Sequence, residues 1–125
     1  MSDLVRRLEI AIRVESPDLV ITDFEPALPR AAARCGVPFL SIDHQHFLVT
    51  SDLSALPRSL RIEAAMMAPV VNAYYRGQAE TVVSSFYFPP LKRGCDDIVQ
   101  TGVLLRPEVH EARPEWHSHL LVYLR

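Results

Sequence analysis

Apolar residues recur at helical spacing through the opening segment, at Leu4, Leu8 and Ile12, with Ser2 or Asp3 placed to cap the first turn and Ser16-Pro17 to close the run. The spacing predicts an amphipathic helix. DLVITD (18–23) is then an unbroken apolar and β-branched run ending on Asp23, the pattern of a strand buried on both faces of a parallel sheet. EPALPRAAARCG (25–36) returns to helical patterning, with Pro26 suited to the first turn and Gly36 to the exit. VPFLSID (37–43) predicts a second strand, and the spacing between the two strands fits a compact right-handed β-α-β crossover.

A longer helix is predicted from Leu56 or Pro57 to about Tyr75, with Leu60, Ala64, Met67, Val71 and Tyr74 on one core-facing stripe and a kink at Pro69. ETVVSSF (80–86) predicts a third strand, FPPLKRG (88–94) a stiff loop, and DDIVQTG (96–102) a fourth short strand. RPEVHEARPEWHS (106–118) is polar, carries two prolines and reads as a linker. HLLVYLR (119–125) resumes an apolar run, as the start of another strand would. The alternation of strands and helices predicts an α/β fold, a Rossmann-like parallel sheet with flanking helices.

Composition narrows the function classes. With 49% apolar and 22% charged residues in 125, the chain can build a hydrophobic core and is not disordered. A formal net charge of −2 without a basic stripe argues against a nucleic-acid partner. The opening MSDLVRRLE does not resemble a secretory signal, so Cys35 and Cys95 are expected to be buried free thiols in a reducing cytoplasm. The apolar stretch around 64–75 is interrupted by Pro69 and Asn72 and falls short of a membrane span.

In an open parallel sheet, ligands bind beyond the carboxyl ends of the strands, where loops and helix N-termini converge. The first strand here ends at Asp23-Phe24-Glu25, the second at Asp43-His44-Gln45-His46 and the third at Ser84-Ser85-Phe86-Tyr87, so these groups fall on one rim. Asp23 and Glu25 also stand where they can cap the following helix. Strand alternation at the second end would put the His44 and His46 rings on one side, beside Asp43. Candidate catalytic residues are His44, His46 and Asp43; candidate substrate-binding residues are Asp23, Glu25, Asp43, His44, Gln45, His46 and Ser85.

The blocks DLVITDFEP, VPFLSIDHQHF, VVSSFYFPPLK and TGVLLRPEV, in this order and at these separations, resemble the amino-terminal half of prokaryotic glycosyltransferase-like proteins. That group is similar to the peptidoglycan-precursor N-acetylglucosaminyltransferases, with a twin-Rossmann (GT-B) architecture. The resemblance implies transfer of a sugar from a nucleotide-sugar donor to a sugar or lipid-linked acceptor, with the acceptor on the first domain and no metal or other cofactor. On that footing residues 1–105 are expected to form an acceptor-side domain lacking its first strand, 106–118 a linker, and 119–125 the start of a donor-binding domain.

Such an enzyme needs a base for the acceptor hydroxyl and groups that stabilise the departing diphosphate. Relatives often take the base from a Gly-rich loop after the first strand; this chain has four glycines and no G-x-G-x-x-G, so His44 and His46 are expected to bind sugar hydroxyls or to orient that base ahead of acting as the base themselves. The isolated chain is therefore expected to be inactive and, with a sheet edge or core face uncovered, to self-associate. A cytoplasmic location is expected, peripheral to the inner membrane face if the acceptor is lipid-linked. Two alternatives remain open: a metal-dependent hydrolase using Asp43, His44, His46 and Asp23, and a non-catalytic small-molecule-binding module.

Overall fold

The computed structural model describes residues 2–74, 77–113, 115–118 and 122. Its elements are α1 (Ser2–Glu15), β1 (Val20–Thr22), α2 (Ala27–Cys35), β2 (Phe39–Asp43), α3 (Phe47–Thr50), α4 (Arg58–Tyr74), β3 (Glu80–Ser84), β4 (Val99–Thr101) and α5 (Pro107–Glu111). The strands form one parallel sheet in the order β1-β2-β3-β4. Register pairs Thr22 with Ser41, Asp43 with Val83, and Ser84 with Thr101. Parallel neighbours require crossovers, and α2 and the α3-α4 pair supply the first two. The architecture is the α/β, Rossmann-like class that the patterning predicts.

That register also sorts the side chains by face. Val20, Thr22, Phe39, Ser41, Asp43, Thr81 and Val83 share one face and are all buried. The intervening Leu40, Ile42 and Val82 are only half-buried, and Ile21 is 58% exposed. The expectation of a first strand buried on both faces is therefore corrected. The strand order never reverses, so right-handed crossovers would set every connecting helix on the same side of the sheet.

The core lies between β1, β2 and the first two helices: Val5 and Ile12 of α1 meet Ala27, Ala31 and Ala32 of α2, over Val20 and Phe39. Alanine at 31 and 32 leaves room for α1 to lie close against α2, and both are fully buried. Leu4 was expected on the buried stripe with Leu8 and Ile12; the helix is rotated so that Val5 takes that place and Leu4 is exposed. Ser16 ends α1 with a left-handed φ of 48°, its amide donating to the Ile12 carbonyl at 2.8 Å. Gly36 ends α2 in the left-handed region at φ 72°, which its missing Cβ permits at little cost.

Further along, α4 runs continuously through Pro69, burying Ala64 and Val71. Leu60 and Met67, expected on its core stripe, are exposed because only a narrow face of α4 is covered. The turn α3 is an element the patterning did not predict. Lys92 Nζ donates to the Val49 carbonyl at 2.8 Å near its C-terminal end, where a cation suits the helix dipole. Within the stretch read as a linker, α5 starts at Pro107 and is wholly exposed. The strand expected over 119–125 lies outside the described residues apart from Val122. Cys35 and Cys95 are free and half-buried rather than buried. No helix among the described residues is long and apolar enough to cross a membrane.

Candidate functional site

The carboxyl ends of the strands gather the polar residues singled out above, but give them different work. Asp43, the last residue of β2, points into the covered face and is 2% exposed. Its Oδ2 accepts from His46 Nδ1 at 2.7 Å and from the Ser41 hydroxyl, and its Oδ1 accepts from the His46 amide at 2.8 Å. Burial pushes the Asp43 carboxyl up, but the hydrogen bonds from His46, Ser41 and the His46 amide outweigh it and hold the group below the ordinary carboxylate value. An ionised carboxylate can only accept, so His46 carries a proton on Nδ1.

His44 is placed differently. It is exposed, its ring stacks on Phe47 with centroids 5.7 Å apart, and its Nδ1 lies 2.8 Å from the carbonyl oxygen of Ser84 on β3. A carbonyl has no proton to give, so Nδ1 must be the donor; in the neutral ring Nε2 then carries the lone pair. The expectation that His44 and His46 face the same way is corrected. Extended backbone ends at Asp43, and His46 has the helical φ/ψ of −60° and −22° at the head of α3, so two-residue alternation no longer applies.

At the end of β1, Glu25 serves α2: its Oε1 accepts from the Ala27 amide at 2.8 Å and its Oε2 from the Leu28 amide at 2.6 Å. These are orphan donors of the first helical turn, and a carboxylate there also complements the dipole. Asp23 is exposed on the same rim. Between them Phe24 adopts φ 38°, unusual for a residue with a Cβ, while its ring packs 5.2 Å from Tyr74. Ser85 is buried; its hydroxyl oxygen accepts from the Tyr87 amide at 3.2 Å, and its own amide donates to the Thr101 carbonyl at 2.9 Å. Gln45 is half-buried, with Oε1 shielded from solvent and without a hydrogen-bond partner.

Among the described residues no three His, Cys, Asp or Glu side chains converge as a metal site would require. Asp43 uses both oxygens on protein donors, and His46 Nδ1 is used on Asp43, so this cluster forms a hydrogen-bonded unit.

The family model described as Glycosyl transferase family 1 matches residues 4–125. The chain belongs to this family. No curated protein and no solved structure matches it significantly. As a family it handles a sugar donor and an acceptor, so the strand-end rim is read with sugar transfer as its context.

Two contributors to the rim escaped the sequence reading. Ser41 is one: it lies two residues before Asp43 on the same face of β2, a spacing that marks it as a partner once the strand is known. The Ser84 carbonyl is the other, and no side-chain pattern signals a backbone acceptor on a neighbouring strand.

Proposed function

We propose that this chain supplies the acceptor side of a sugar transfer from a nucleotide-activated donor, with His44 as the group that takes the acceptor hydroxyl proton. The observation that carries the reading is the His44 geometry: an exposed imidazole whose Nδ1 donates to a backbone carbonyl leaves Nε2 basic and turned away from that bond. In the step itself, Nε2 accepts the hydroxyl proton as the acceptor oxygen bonds to the anomeric carbon. The bond from that carbon to the diphosphate breaks, and the nucleoside diphosphate leaves with the electron pair.

The other residues act by positioning. The buried Ser41-Asp43-His46 unit sets the turn from β2 into α3 and so the point from which His44 projects. Asp23, exposed at the neighbouring strand end, is placed to bind sugar hydroxyls, while Glu25 and Ser85 hold the local backbone and Gln45, its Oε1 shielded from solvent, stays beneath the rim. Nothing in this set is arranged to grip a diphosphate, which supports leaving the donor to a second domain and an isolated chain without turnover. N-acetylglucosamine is the first donor sugar to test, on the strength of the motif resemblance. On this reading the chain works in the cytoplasm, where nucleotide-activated sugars are made.

The test is a titration of the chain with methyl β-D-glucoside and, separately, with uridine diphosphate, following the imidazole proton signals by NMR. The expected result is that the glucoside moves the His44 signals and the nucleotide does not. Nucleotide binding without any sugar response would overturn the acceptor-side reading.

A further inference from the structure

Two adjoining cavities open where α4 packs on α3 and the turn that follows it. The larger, about 470 Å³, is walled by Leu48, Leu53, Ala64 and Ala65 and carries Arg61 and Lys92. The second, about 340 Å³, shares Leu48 and Ala64 and adds Leu56, Leu60 and Met67. Leu60 and Met67 stand exposed along it, in a helix that buries little of its apolar surface. The larger cavity is positively charged. Lys92 is bonded to the Val49 carbonyl and has Asp52 as a nearby anion, whereas Arg61 makes no ion pair among the described residues.

The same chain carries a segment of complementary character. Residues 104–113 are all exposed, with Leu104, Leu105 and Val109 at 71%, 53% and 54%. Apolar side chains clustered in water mark a surface that burial would stabilise. Glu108 and Glu111 stand one turn apart on α5, three residues being the spacing that puts side chains on a common side of a helix. The arm does not bury these groups within its own chain. Its backbone hydrogen bonds are local, from the Val109 and His110 amides to the Arg106 carbonyl, and none of its residues lines either cavity.

We propose that the 104–111 arm of one copy docks in the α3-α4 cavities of a second copy, with Glu108 and Glu111 against Arg61 and Lys92, and Leu105 and Val109 on the leucine walls. One chain thus presents both halves of the contact, an apolar arm with an acid pair and an apolar cavity with a cation pair, and the signs are opposite. The exchange is reciprocal, so a two-fold axis closes it as a dimer and each contact is made twice. The surface is separate from the strand-end rim and forms whether or not the rim binds a sugar.

The experiment is sedimentation velocity over a range of concentrations on the wild type, on Arg61→Glu, on the double variant Glu108→Arg, Glu111→Arg, and on an equal mixture of the two variants. Arg61, Glu108 and Glu111 are exposed, so both variants should melt at the wild-type temperature. The expected result is a concentration-dependent dimer in the wild type and association about tenfold weaker or more in each variant alone, since each then brings like charges together twice. The mixture should associate about tenfold more tightly than either variant by itself, because in the mixed dimer the reversed arm meets the reversed cavity and the native arm meets the native one.

A wild-type chain that stays monomeric up to millimolar concentration overturns the proposal. So does a dimer that neither variant weakens, which places the contact elsewhere, as on the sheet face around Ile21. Weakening in the variants without recovery in the mixture overturns it as well, since the two sets of charges then do not meet.

Discussion

His46 Nδ1 lies 2.7 Å from Asp43 Oδ2, and the two side chains are almost wholly buried at the point where β2 turns into α3. The same aspartate accepts the His46 backbone amide and the Ser41 hydroxyl, so one carboxylate closes the strand, starts the helix and holds the imidazole. Replacing Asp43 with Ala leaves those donors buried and unpaired. The expected loss is about 3 kcal/mol of stability, read from urea unfolding.

The pH dependence follows from the direction of the Asp43 shift. Its carboxyl titrates below the usual value of 3.8 in the folded state, so the unfolded chain takes up the proton first on acidification. The stabilisation is fully present above the unfolded pKa and is lost as pH falls through the lower, folded one. Melting temperatures of wild type and Asp43→Asn should draw together as pH falls below the usual carboxylate value of 3.8, because the unfolded chain takes up the proton first. A gap that stayed constant down to pH 2 would contradict this account.

Glu25 is expected to behave as a helix cap. Glu25→Ala should cost about 1 kcal/mol by releasing the Ala27 and Leu28 amides, with glucoside binding unchanged. A tenfold fall in binding at unchanged stability would instead place Glu25 in direct contact with the ligand.

The contact between α1 and α2 depends on small side chains. Ala31→Leu inserts volume where exposure is zero, and overpacking should cost about 1–3 kcal/mol in thermal or urea unfolding. The Glu9–Arg34 ion pair, 2.8 Å across the same two helices but with Arg34 largely exposed, should contribute well under about 1 kcal/mol in a double-mutant cycle.

His44→Gln tests the chemistry apart from stability. Glutamine can still donate to the Ser84 carbonyl but cannot take a proton, and the ring is exposed, so unfolding should be unaffected. In an enzyme that includes a donor domain, kcat should fall by about a hundredfold or more with KM little changed.

The uncovered face of the sheet bears on self-association. Ile21→Lys places a charge where the side chain is already in water, and should lower any concentration-dependent mass seen by light scattering without lowering the melting temperature. An unchanged mass distribution would show that association, where present, uses another surface.

Much of this protein was written in local sequence. Periodicity marked out α1, β1, α2, β2, α4 and β3, and Gly36 marked the exit of α2, because burial of one face and the φ/ψ needs of a helix end are decided within a few residues. The acidic and imidazole groups at the strand ends were legible for the same reason: parallel strands separated by crossovers must end on one rim. What each group does there was not. Asp43 and His46 turned inward to each other, His44 reached across to a β3 carbonyl, and Glu25 spent both oxygens on α2 amides. Those outcomes depend on where extended backbone gives way to helix and on which neighbour offers an unpaired donor or acceptor. Likewise Ile21 looks buried as part of an apolar run and is 58% exposed, since it alternates with Val20 and Thr22, which face the core. A residue's chemistry is carried by its type; its partner is chosen by packing between segments far apart in the chain.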